Sequence, residues 1–265
     1  MTSTSASSKT PRATTPPKSS PPSQSIACSL ARQCACVLSE AILSTYGHCL
    51  DPISPPTDCF LEGDLLWNAG RTSAHYLEEH ADDFVRDKTV LEIGAAAGVP
   101  SIVSAVLGAR RTVMTDYPDP DLVGNMRYNA ELSGEAALHV EGYKWGSTVE
   151  PLQNYLPAGE ATFDTLIMAD VVYSHREHGN LIKTMQMTLK RKPESVALVI
   201  FTPYQPWLLP QTERFFPLTE ENGFVVTKVF EKVLDEALFE NDPGDERLKR
   251  TVFGYELRWA PEQLQ

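Results

Sequence analysis

Hydrophobic patterning divides the chain into two regimes. Residues 1–25 are Ser, Thr, Pro and Lys with almost nothing to bury, and they predict a disordered tail. Over 26–50, Ile26, Leu30, Val37, Leu38, Ile42 and Leu43 draw an imperfect helical face. Pro52, Pro55 and Pro56 then break the chain, so 26–61 reads as an N-terminal helix and proline-rich linker. From residue 62 the pattern becomes regular and predicts one domain over 62–265. Helical periodicity marks 68–79, 99–107, 119–132, 177–189 and 211–221, with Gly108 closing the second of these. Apolar runs mark strands at 89–93, 111–115, 137–141, 163–170, 195–201, 224–230 and 251–259. An acidic, turn-forming run at 240–246 separates the last two strands without a clear helix. Buried strands alternating with helices predict an α/β fold: a seven-stranded, mainly parallel sheet with one antiparallel strand near its edge and helices on both faces.

In such a sheet a ligand lies outside the carboxyl ends of the strands. The first strand runs into Gly94-Ala95-Ala96-Ala97-Gly98, a small-residue turn that lets the backbone approach a ligand before a helix begins. Asp116 ends the second strand 22 residues beyond Gly94. That matches the offset of roughly 20 residues at which nucleotide-binding folds place a ribose-binding acid. An adenosine cofactor follows. Ala96 stands where G-x-G-x-x-G has its middle glycine, so a pyrophosphate would meet a methyl group, and a nicotinamide-dependent oxidoreductase is disfavoured. Ala169-Asp170 ends the fourth strand on the same edge, and Trp145 in the preceding loop either flanks an adenine or covers a sheet edge.

Charge narrows the choice of partner. The net charge is −12, and residues 1–61 hold only four of the 23 basic and three of the 35 acidic side chains, leaving 62–265 at −13. This excess argues against nucleic acid and favours a cationic substrate, although acidity also serves solubility. All five cysteines, Cys28, Cys34, Cys36, Cys49 and Cys59, precede the domain, so thiol catalysis and a cysteine zinc site within it are excluded. No metal is expected. The odd cysteine count and the lack of a secretory signal point to the cytoplasm, while the first acidic residue, Glu40, comes late enough to leave an arginine-poor transit peptide as the alternative. No apolar stretch reaches membrane-spanning length. His175 and His178 read as a base, a metal pair or surface histidines, and Tyr204 with Trp207 as an aromatic wall or loop packing.

Taken together, Leu65-Leu66-Trp67-Asn68-Ala69-Gly70, Val90 to Gly98, Thr115 to Asp121, Lys144-Trp145-Gly146, Ala169-Asp170-Val171-Val172-Tyr173, Pro206-Trp207 and Phe253 to Leu257 carry a resemblance over about 62–259. The chain resembles the seven-stranded, Rossmann-like, S-adenosylmethionine-dependent methyltransferases. Among these it is similar to the fungal protein N-terminal and lysine methyltransferases of translation elongation factor 1-alpha, formerly grouped with nicotinamide N-methyltransferase. The resemblance implies a cofactor pocket lined by Trp67, Gly94, Ala95, Ala96, Asp116, Trp145 and Ala169. It further implies a protein acceptor, elongation factor 1-alpha, methylated on its N-terminal glycine and adjacent lysine; the chain is expected to act as a monomer. A nicotinamide-like small acceptor would share every cofactor residue, and a non-catalytic binding module would share the fold. Residues 25–61 depart from the β-rich segment with which the family's domain begins. Asp170 reads as the acceptor of a hydrogen bond from the incoming amine, with Tyr173 positioning it, or else as a helix-capping carboxylate.

Overall fold

The computed structural model describes Met1, residues 66–239 and residues 243–264. The expected tail and linker over 1–61, with all five cysteines, therefore lie outside the described residues apart from Met1. Seven strands form one sheet: β1 (Thr89–Ile93), β2 (Arg111–Asp116), β3 (Leu138–Gly142), β4 (Thr165–Ala169), β5 (Val196–Phe201), β6 (Phe224–Val233) and β7 (Thr251–Trp259). Their order is β3-β2-β1-β4-β5-β7-β6. Neighbours pair in parallel except at β7, which runs antiparallel to both β5 and β6. One antiparallel strand next to the edge is what the missing helix before the last strand implied.

Period-two alternation sends successive residues of the central strands to two separate cores. Leu91 and Ile93 of β1, with Leu166 and Met168 of β4, face Leu181 and Met185 of helix α6 (His178–Thr188, which follows the one-turn α5, Glu150–Gln153) and Phe215 of α8 (Phe215–Glu221). Val90 and Ile167 face Leu77 of α1 (Asn68–Glu79) and Phe84 of α2 (Ala81–Phe84). Met114 joins Ile102 and Val103 of α3 (Val99–Val106) and Met126 of α4 (Pro120–Ser133) on that same side. Both faces are therefore covered, which is why these strands read as unbroken apolar runs.

Several boundaries moved for definable reasons. The expected helix 211–221 is two short ones, α7 (Leu209–Glu213) and α8, because Pro217 has no N–H to give the Glu213 carbonyl. The α4 helix follows its signals: the Asp119 carboxylate accepts from the Asp121 and Leu122 amides, and Gly134 closes the helix with φ +69°. Within the expected acidic turn, Asp245 instead caps a short helix, Glu246–Lys249. The expected strand 163–170 shortens to β4, with Phe163 kept only as an isolated bridge to Leu189. Asp170 leaves the strand with φ +52°.

Strand β6 runs three residues beyond its expected end, with a bulge between Lys228 and Phe230. The bulge sets Phe230 opposite Gly254 of β7, and a Cβ at Gly254 would collide with the Phe230 ring. Replacing Gly254 by Ala forces that edge pair apart. We expect a loss of about 1–3 kcal/mol in guanidinium unfolding, and an unchanged midpoint would show that the close approach is not needed.

Candidate active site

The carboxyl ends of β1, β2, β4 and β5 meet the N-terminus of α1 at one crevice. Its first wall is the turn after β1. Gly94, Ala96 and Gly98 all adopt left-handed backbone, at φ +76°, +49° and +77°. The Gly94 and Ala95 amides both donate to the Thr115 carbonyl at 2.9 Å, and the Gly98 amide to the Ala95 carbonyl at 2.7 Å. A Cβ at Gly94 would stand 2.5 Å from Val171 and 3.3 Å from the Trp145 indole, so this glycine is what lets Trp145 lie over the turn. Ala96 has no such freedom, and a non-glycine residue held there stores roughly 1 kcal/mol or more of strain. Its amide is held by the Asp116 carboxylate at 2.8 Å.

Asp116 is anchored twice, its Oδ2 accepting from the Ala96 amide and its Oδ1 from the Tyr117 amide at 2.6 Å. Burial raises its pKa, and the two amide bonds act against that rise. Each oxygen of an ionised carboxylate has about two acceptor sites, so one on each remains for a pair of hydroxyl donors.

A second carboxyl fixes the turn from behind. Glu92, on β1, is fully buried and its Oε2 accepts from both the amide and the hydroxyl of Ser101 in the first turn of α3. Gly98 caps that helix without a side chain, so Glu92 satisfies an amide that the helix cannot. The Thr115 hydroxyl donates to the Glu92 carbonyl at 2.6 Å, which ties β1, β2 and α3 together two residues before Gly94. Neither Glu92 nor Ser101 was singled out from the sequence, although a charged residue inside an apolar strand run was the available signal.

The opposite wall centres on Asp170. Its Oδ1 accepts from the Thr202 amide at 2.8 Å, and its Oδ2 from the Ala69 amide at 3.2 Å and the Tyr204 hydroxyl at 3.3 Å. The Tyr204 hydroxyl in turn accepts from the Asn68 amide at 3.0 Å. Withdrawal from water pushes Asp170 up to about 7 even against these donors. The Tyr204 hydroxyl is likewise raised, by burial and by the neighbouring carboxylate. The ring of Tyr204 packs on Trp67 at 5.0 Å, and Phe239 closes on both at 5.7 and 5.8 Å. Trp67, which sequence reasoning alone could not place, thus belongs to this aromatic cluster.

The crevice gathers most of the expected residues. Gly94, Ala95, Ala96 and Asp116 share one wall with Trp145; Ala169 ends β4 immediately before Asp170. Tyr173 is 63 % exposed. His178 is not a surface histidine: it is buried, bonded to the Val172 carbonyl at 2.8 Å and packed on Phe215. His175 bonds Thr212 at 2.9 Å, and burial lowers both imidazoles from their ordinary value. They secure the segment after β4. Of the proposed aromatic wall, Tyr204 turns inward but Trp207 remains exposed. Phe239 carried no signal in the sequence. Among the described residues no cluster of His, Cys, Asp or Glu could hold a metal, and no helix is long and apolar enough to cross a membrane.

Sheet order, glycine turn and strand-end carboxylates define a Rossmann-like fold with its ligand crevice at the carboxyl ends of the strands. A Pyrococcus horikoshii structure described as a candidate RNA methyltransferase shares the fold, with a TM-score of 0.54 at 17 % identity over 82 % of this chain and 96 % of that one. Residues 62–217 match the lysine methyltransferase family, and the chain belongs to it. It is 71 % identical to the Aspergillus fumigatus protein N-terminal and lysine N-methyltransferase efm7, over 77 % of this chain and 81 % of the relative. To the Neurospora crassa protein of that name it is 47 % identical, over 76 % of this chain and 75 % of the relative. The protein is accordingly an N-methyltransferase that acts on protein.

Glu92 makes the pH dependence of the fold testable. Burial raises its carboxyl from 4.5 to about 8, the Ser101 bonds opposing. The native state therefore keeps a proton that the unfolded chain releases, and stability falls as pH climbs through that window. Glu92→Gln removes the titration, so its urea midpoint should gain on the wild type between pH 5 and pH 8. A constant difference would contradict the assignment.

Proposed function

We propose that the chain transfers methyl groups from S-adenosylmethionine to the N-terminal glycine and adjacent lysine of elongation factor 1-alpha. The observation that carries this reading is the doubly anchored Asp116 with one acceptor site left on each oxygen, facing a left-handed turn. That donor-acceptor arrangement fits the two hydroxyls of an adenosine ribose. Trp67, Gly94, Ala95, Ala96, Trp145 and Ala169 would hold the rest of the cofactor. When bound, it supplies an electrophilic methyl group on a sulfonium. The printed names of the relatives supply the acceptor class, an N-terminal amine and a lysine.

The protein's part is to present a neutral amine in line and take its proton. At pH 7 an α-amino group of pKa about 7.7 is neutral in roughly one molecule in six, and a lysine near 10.4 in about one in 2,500. Asp170 has three of about four acceptor sites filled, so Oδ1 keeps one for an amine N–H. Its pKa of about 7 nearly matches an α-amino group, which suits proton transfer. Tyr173, exposed just beyond, would position the acceptor. The surplus negative charge of 62–265 favours the approach of a cationic peptide.

The test is methyl transfer to a peptide beginning Gly-Lys, followed by mass spectrometry. Wild-type kcat/KM should rise through pH 7 as Asp170 ionises. Asp170→Asn should lower kcat by at least about tenfold and leave only the rise that the amine's own deprotonation gives, because proton transfer of this kind contributes about 10²–10⁴-fold. Asp116→Ala should weaken cofactor binding while leaving the peptide site in place. Unmethylated peptide with methylated small solutes would overturn the reading.

A further inference from the structure

The N-terminus of α1 carries a buried side-chain donor with no acceptor among the described residues. Two of its backbone amides are spoken for, Asn68 by the Tyr204 hydroxyl and Ala69 by the Asp170 carboxylate. The Asn68 side chain is not. Asn68 is 7 % exposed, and its Nδ2 is closed off from solvent with no acceptor among the described residues. Buried polar groups are nearly always paired, and an unpaired one costs the full desolvation of the group. A fold that gained only packing at this position would do better with leucine. Along the chain Asn68 stands between Trp67, which packs on Tyr204, and Ala69, whose amide bonds Asp170.

We infer that Asn68 is a ligand-positioning residue whose side-chain amide donates to a carboxylate or carbonyl oxygen brought by a bound ligand. This rests on the reading of the crevice as a methyl-transfer site, where two ligands bring such an oxygen. One is the carboxylate of the cofactor's amino-acid end, and the other is the first peptide carbonyl of the acceptor. Either bond would fix the reacting atoms relative to Asp170 without touching them. The loss of one such bond weakens affinity about tenfold when the partner is a carbonyl and more when it is charged.

Asn68→Leu removes the donor at nearly constant volume, and Asn68→Asp, isosteric with the native side chain, carries the test if leucine does not pack. Calorimetry with S-adenosylhomocysteine probes the cofactor arm. Titration of the Gly-Lys peptide into the protein saturated with S-adenosylhomocysteine probes the acceptor arm. We expect Asn68→Leu to hold or raise the melting temperature of the ligand-free protein and to weaken one of the two ligands about tenfold. The weakened ligand identifies the source of the oxygen; on the acceptor arm KM should rise with kcat little changed. Affinities within about twofold of wild type on both arms would overturn the inference, as would a fall in ligand-free stability in both variants. If wild type binds no peptide, the functional reading fails separately, and Asn68 stands or falls on the S-adenosylhomocysteine arm alone.

Discussion

The carboxylate of Asp170 holds the crevice together. Its oxygens gather the start of α1 through Ala69, the end of β5 through Thr202 and the Tyr204 hydroxyl, from a residue that has itself left β4 in left-handed backbone. Strand ends are where a parallel sheet runs out of ladder partners, and each amide there needs an acceptor. One side chain takes two amides and a hydroxyl from two segments at once. The segments that these bonds draw together also close water out, and that burial raises the carboxyl to about 7 although the bonds themselves favour the ionised form. Architecture and reactivity thus share a cause.

The other half of the crevice is built on the same plan with a different residue. Asp116 anchors the strained Ala96 amide, and Glu92 fastens β1 to the first turn of α3 from the buried side. The turn is thereby held rigid from both directions before any ligand arrives. Preformed geometry of this kind reduces the ordering cost of binding. The aromatic group of Trp67, Tyr204 and Phe239 then joins the start of α1 to the loop after β6, so that elements far apart in sequence close one site.

Where local sequence alone determines structure, it was legible. Helix α1 and strands β1 and β7 have the bounds their patterns imply, and Asp119, Pro120 and Gly134 frame α4 as capping chemistry requires. The glycine turn and Asp116 were readable because their spacing reflects a fixed strand-helix-strand path. Tyr204 bonding Asp170, Phe239 joining Trp67 and Glu92 capping α3 were not readable, since each depends on contacts between segments whose separation follows no period. His178 looked like a surface residue because it opens a helix, yet the sheet end and Phe215 enclose it. Pro217 was visible in the sequence, and its effect on the 211–221 helix follows from ring chemistry alone.

The central claim is that this crevice methylates the N-terminal amine of a protein. Intact-mass analysis of N-terminal peptides of elongation factor 1-alpha, from cells with and without this gene, tests it most directly. The account predicts peptides heavier by whole methyl groups when the gene is present, and their loss when it is removed. Identical masses in the two strains would contradict it.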